Sequence, residues 1–182
     1  MRCVWTNRGV KMGLKASSLV LLLALTACGQ AADRNAAAME AYQASMDAAA
    51  SANLKAGEAY LADVARQPGV VKLPDGVMYK LISRAPAPGP QPTIDDTVTI
   101  NYEGKLIDGD VFDSSYARHE PATFPLGRLI PAWQEAIPLM HVGDEILLYV
   151  PSAQGYGERD MGEIPPNSAL VFHIQLLGIP KS

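Results

Sequence analysis

The chain has 182 residues, room for one domain of ordinary size plus accessory segments. With 48% hydrophobic and 19% charged residues it can build a core, which excludes global disorder. A net charge of −4 leaves no basic field for nucleic acid, and two Cys with three scattered His exclude a Cys-rich metal module.

Residues 1–27 carry Arg2, Arg8, Lys11 and Lys15 and no acid, then the apolar run from Leu19 to Leu25, then Thr26, Ala27, Cys28 and Gly29. A basic start, a short apolar stretch and small residues at its end describe a secretory signal. The run is too short to span a bilayer, which takes about 20 apolar residues. Leu25-Thr26-Ala27-Cys28 also resembles the lipobox of bacterial lipoproteins. That resemblance implies cleavage before Cys28, lipidation of its thiol and, with Gly29 following, a periplasm-facing anchor in the outer membrane. Ordinary cleavage near Ala27 is the alternative, and Met12 offers a second start. The processed chain keeps 11 basic and 19 acidic residues, a net charge of −8, and a single Cys, so it has no internal disulfide.

The second segment, 28–67, is a spacer. Its Ala-rich part, 31–66, places Met39, Tyr42, Met46, Leu54, Leu61 and Val64 at steps that suit one helical face. Gly57 weakens its middle by about 1 kcal/mol relative to Ala. A solvated stalk is the first reading; an arm that pairs two copies into a homodimer is the sharper one, although an Ala seam buries little area. Gln67-Pro68-Gly69 ends the helix.

From residue 68 to 182 the period changes. Pro74-Asp75-Gly76 is a turn before a strand in which Val77, Tyr79 and Leu81 alternate with Met78 and Lys80. A proline-rich loop over 85–92 precedes a strand over 97–102, and Asp108-Gly109 turns into Val111-Phe112. Pro131 opens the one short helix of this half, with Trp133, Ala136 and Ile137 on a shared face. The strongest strands are 145–150 and 170–177. Strands dominate and one helix interrupts them, so the fold class is α+β, an antiparallel sheet packed on a short helix.

Activated nucleophiles, phosphate loops and metal-ligand spacings are missing, and neither metal nor cofactor is expected. Asp95, Asp96, Asp108 and Asp110 read as turn formers, and His119, His141 and His173 as surface or strand-edge residues. What abounds is apolar residues beside Gly- and Pro-rich turns: Phe112 before Asp113, Leu129-Ile130 before Pro131, Tyr156 between Gly155 and Gly157, and Ile164 before Pro165. Phe124 reads as core.

The ordered motifs Asn101-Tyr102-Glu103-Gly104, Val111-Phe112-Asp113-Ser114-Ser115, Phe124-Pro125-Leu126-Gly127, Leu129-Ile130-Pro131-Ala132-Trp133, Val142-Gly143, Tyr156-Gly157, Ile164-Pro165-Pro166-Asn167 and Leu170-Val171-Phe172 resemble the FKBP-type peptidyl-prolyl cis–trans isomerases. The likeness covers roughly 69–180 and is greatest to the bacterial secreted and lipoprotein branch similar to the macrophage infectivity potentiator. It implies a strongly bent antiparallel sheet wrapped around the Trp133 helix. It implies catalytic roles for Tyr102, Phe112, Asp113, Trp133, Tyr156 and Phe172, and substrate binding by Leu129, Ile130 and Ile164. Trp133 would be the floor for a proline ring, with the Ile130 N–H and the Tyr156 hydroxyl holding substrate carbonyls. The implied partners are proline-containing polypeptides of the cell envelope and macrolide inhibitors of the rapamycin class. Ala122, Ala132 and Gln154 depart from residues common in the family. The alternative function is a membrane-anchored proline-peptide-binding chaperone or adapter with little turnover.

Overall fold

The Ala-rich segment forms one long helix, α1, Ser17–Val64, in a computed structural model that describes residues 17–87 and 89–180. The basic leader and the side chain of Cys28, on which the signal and lipobox expectations rest, lie outside the described residues. The chain divides into two compact units at Ser45/Met46. In the first, the described side chains of 34–45 are all exposed, Met39 and Tyr42 among them. No helix among the described residues is long and apolar enough to cross a membrane.

The second unit, from Met46 onward, contains the rest of α1 and all the strands. Helix α1 gives out where Pro68 cannot continue it and Gly69 takes φ +80°. Strands β1 (Val70–Lys72), β2 (Met78–Ser83), β3 (Thr97–Leu106), β4 (Val111–Ser114), β5 (Ala122–Pro125), β6 (Glu145–Val150) and β7 (Leu170–Gly178) form one antiparallel sheet in the order β1-β2-β6-β7-β3-β4. Strands β4 and β5 share one edge of β3, pairing with its second and first halves respectively. Register shifts at Leu81/Ser83, Thr99/Ile100 and Gly104/Lys105 bend the strands.

Period-two alternation sends Val98, Ile100 and Tyr102 of β3 and Leu170, Phe172, Ile174 and Leu176 of β7 to one face. There they bury α3 (Pro131–Ala136) through Ala132, Trp133 and Ala136. Three short elements join the set read from the sequence: β1, β5 and the single turn α2 (Ser115–Arg118), capped by the Ser114 hydroxyl, which accepts from Ala117 N at 3.2 Å.

The opposite face of the sheet is covered as well. Val64, Met78, Tyr149 and Val171 form a second buried cluster, joined by Tyr60, Leu61, Val70 and Leu147. The Tyr60 and Tyr149 rings lie 6.4 Å apart. Residues 46–64 of α1 thus belong to the sheet-bearing unit, whereas the sequence divided stalk from domain at 67/68. Met78, the alternate of Val77, is buried because α1 lies over the face that alternation alone would leave to solvent.

Candidate active site

Strands β3, β4, β5 and β7, two loops and α3 converge on one cavity of about 210 Å³, lined by Tyr102, Phe112, Asp113, Phe124, Leu129, Ile130, Trp133, Tyr156 and Phe172. Its aromatic walls meet edge to face. Trp133 lies 5.1 Å from Phe172 and 5.4 Å from Tyr102, centroid to centroid, and Phe112 lies 5.7 Å from Phe172. This is the arrangement ring quadrupoles favour. Trp133 is 4% exposed, so its ring is held by packing, and its indole N–H has no acceptor among the described residues. Gly104 makes the arrangement sterically feasible: a Cβ there would lie 2.6 Å from Phe112 Cε2 and 2.8 Å from Phe172 Cε1.

The rim is polar and ordered. Tyr102 donates its hydroxyl to Asp113 Oδ2, and Arg118 donates from Nη1 to Asp113 Oδ1. Arg118 Nη2 also reaches the Tyr102 hydroxyl at 3.1 Å. The buried Ser115 hydroxyl accepts from Tyr102 N at 2.8 Å, fixing α2 against β3 and thereby aiming Arg118. Partial burial of Asp113 opposes ionisation, but the Tyr102 hydroxyl, Arg118 and the Ser114 N–H outweigh it and hold the carboxyl below its ordinary range. Burial pushes the Tyr102 and Tyr156 phenols up, and the Asp113 charge adds to both.

Besides the buried Trp133 indole N–H, two hydrogen-bonding groups are left over. Gln134 Nε2 donates to Leu129 O at 2.7 Å, and Ile130 O accepts from Trp133 N at 3.0 Å, so both sides of Ile130 are tied down. Its own N–H has no acceptor among the described residues. The Tyr156 hydroxyl likewise makes no hydrogen bond to a described residue, while its loop is pinned by Gly157 N donating to Ser152 O at 2.8 Å. Gly157 takes φ +61°, a conformation that favours glycine.

The structure therefore brings eight of the nine cavity residues named from the sequence to one cavity, and places Ile164 in the adjoining core instead. Phe124, read as core, lines the cavity. Arg118 and Gly104 were given no role from the sequence; Ser114-Ser115 one turn before an arginine was the available signal for the first. Among the described residues no three His, Cys, Asp or Glu gather where they could hold a metal ion.

The sequence profile of FKBP-type peptidyl-prolyl cis-trans isomerases matches residues 89–177, and that of the domain amino-terminal to such isomerases matches residues 8–81. The crystal structure of FkpA from Escherichia coli superposes with a TM-score of 0.72 at 35% identity, over 91% of this chain and 74% of that one. The chain belongs to the FKBP family. This FKBP is 39% identical over 185 residues to the probable FKBP-type peptidyl-prolyl cis-trans isomerase FkpA of Neisseria meningitidis serogroup B, across 100% of the chain and 64% of the relative. It is 42% identical over 134 residues to the outer membrane protein MIP of Legionella longbeachae, across 73% of the chain and 57% of the relative. It therefore spans only part of the length of these two curated relatives.

Proposed function

We propose that this FKBP is a peptidyl-prolyl cis–trans isomerase acting on exported polypeptides, and that it works by desolvation and shape rather than by covalent chemistry. The observation that carries the reading is an aromatic cavity floored by Trp133 whose lining residues include, besides the buried indole N–H, the unused Ile130 N–H and Tyr156 hydroxyl. Rotation about an amide costs about 18–20 kcal/mol because the twisted state loses resonance. Uncatalysed X–Pro bonds consequently take tens to hundreds of seconds to exchange. The planar amide is the more charge-separated form, so walls without water disfavour it relative to the twisted one.

A proline ring seated on Trp133, between Phe112, Phe124 and Phe172, leaves its flanking carbonyls to the Ile130 N–H and the Tyr156 hydroxyl. Both donors are held by backbone already fastened to neighbouring residues, so little ordering is needed as the bond turns. Contacts that tighten in the twisted geometry lower the barrier; contacts equal in both geometries do not. Asp113 is a positioning residue in this scheme, keeping the Tyr102 ring edge-on to Trp133. Ile164 supports the cavity from the core behind it.

The leader and Cys28 support a lipid anchor, and the outer-membrane name of the Legionella relative supports the envelope as the setting. Exposed Met39 and Tyr42, three residues apart on α1, support pairing of stalks into a homodimer. The test of function is the rate of cis–trans exchange in a short X–Pro peptide with the purified chain, with and without rapamycin. Acceleration abolished by the macrolide is expected. Peptide binding without acceleration would replace the isomerase by a proline-binding chaperone, and neither binding nor acceleration would overturn both.

A further inference from the structure

Helix α1 meets more than the sheet. Gly57 approaches Ala169 so closely that a Cβ on it would lie 2.8 Å from Ala169 Cβ. One turn earlier, Asn53 Nδ2 donates to the carbonyl of Pro166 at 3.0 Å, in a half-buried bond. Cavities of about 100 and 170 Å³ border this contact, the first lined by Asn53, Ala56, Pro165 and Ser168, the second by Gly57, Leu61 and Asn167, and both by Ala169. Pro165 and Pro166 have no N–H to give. The Asn53 amide thus supplies a donor at a point where the segment has none.

The next residue carries the connection onward. Asn167, at φ +60°, donates its N–H to Gly157 O at 2.8 Å, and Gly157 follows Tyr156 in the cavity wall. Asn53, Pro166, Asn167, Gly157 and Tyr156 form a continuous chain of covalent links and hydrogen bonds from helix to cavity.

We propose that α1 braces the Tyr156 loop, with Asn53 as a positioning residue that sets affinity for the proline substrate. The proposal rests on the isomerase reading for its kinetic half. Its structural half, the bracing itself, does not. A side chain that acts on Tyr156 through the loop affects how firmly the substrate carbonyl is held, so its loss should appear mainly in KM.

The test compares Asn53→Ala, the isosteric Asn53→Asp, which lacks the amide donor, and Val64→Ala, which weakens α1 against the sheet without touching the loop. Both Asn53 variants should raise KM for a proline peptide about fivefold with kcat little changed, the effect of one hydrogen bond. They should also speed hydrogen exchange at the Asn167 N–H. Val64→Ala should lower Tm and leave KM and that exchange rate as they were. Unchanged KM and exchange in the Asn53 variants would overturn the brace, as would an equal KM rise in Val64→Ala. A wild-type chain that does not isomerise, but whose Asn167 exchange responds to Asn53→Ala, would sustain the brace while sinking the isomerase reading.

Discussion

Tyr156 and Asp113 make the sharpest claims about single residues. Tyr156→Phe removes one donor and leaves the ring, so kcat/KM should fall about fivefold with Tm unchanged. An unchanged kcat/KM would remove the hydroxyl from the scheme. The pH profile is equally diagnostic. Asp113 is held below the ordinary carboxylate range, while Tyr102 and Tyr156 are pushed above the ordinary phenol range. No lining group thus changes charge between about pH 5 and 9, and kcat/KM should be flat there in a peptide that does not itself titrate. A bell-shaped profile would mean general acid–base catalysis instead. Gly104→Ala should cost about 1–3 kcal/mol of stability and lower activity together, because the Phe112 and Phe172 rings have to move; urea unfolding and peptide kinetics on one preparation check both.

At the scale of elements, the turn before β6 is held by a buried carboxylate. Asp144 is 2% exposed and accepts from Ala85 N at 3.1 Å and His141 N at 3.0 Å. Burial alone would raise its pKa; these two N–H groups, with Arg84 and His141, bring it below the ordinary value. A depressed folded pKa stabilises above the unfolded value, about 3.9, and that stability is lost as pH falls through the folded one. Asp144→Asn, which turns an N–H toward an N–H, should therefore cost about 1–3 kcal/mol at pH 7. The gap to wild type should narrow below about pH 4, as Tm against pH would register.

The same scale explains what could be read in advance. Strands β3, β6 and β7 carry their own pattern, and β2 follows its own turn. Strand β1 has three residues, two of them exposed, and β5 is four residues ending in Pro125; each exists because a neighbour offers a free edge. Aromatic residues beside turns pointed to the cavity wall, since core residues seldom sit there. Which of Phe124 and Ile164 faces the cavity depends on the bend of β5 and the path of the 158–164 loop, neither of which has a local pattern. Gly57 looked like a weak point in a helix and is instead the place where that helix lies against Ala169.

For the whole molecule, the stalk and the domain share structure. A fragment starting at residue 68 loses Tyr60, Leu61 and Val64 and exposes Met78, Tyr149 and Val171. It should be less stable than a fragment starting at residue 46 by several kcal/mol, at about 1.5–3 kcal/mol per buried side chain; equal unfolding midpoints would show the second cluster to be idle. Cys28→Ser should move the protein from the membrane to the soluble envelope fraction, and continued need for detergent would contradict the anchor.

Strand β7 lies between β6 and β3, and β3 carries both β4 and β5. Among the described residues, the two halves of the sheet are thus hydrogen-bonded to each other only through β7. During synthesis the two halves cannot join until residues 170–178 have arrived, and Phe172, a wall of the cavity, arrives with them. A chain halted before this strand leaves β6 and β3 as two further open sheet edges and the pocket incomplete. Its assembly is governed by a long-range pairing, which is slow relative to local structure, and a nascent chain is exposed to other edges until that pairing is made.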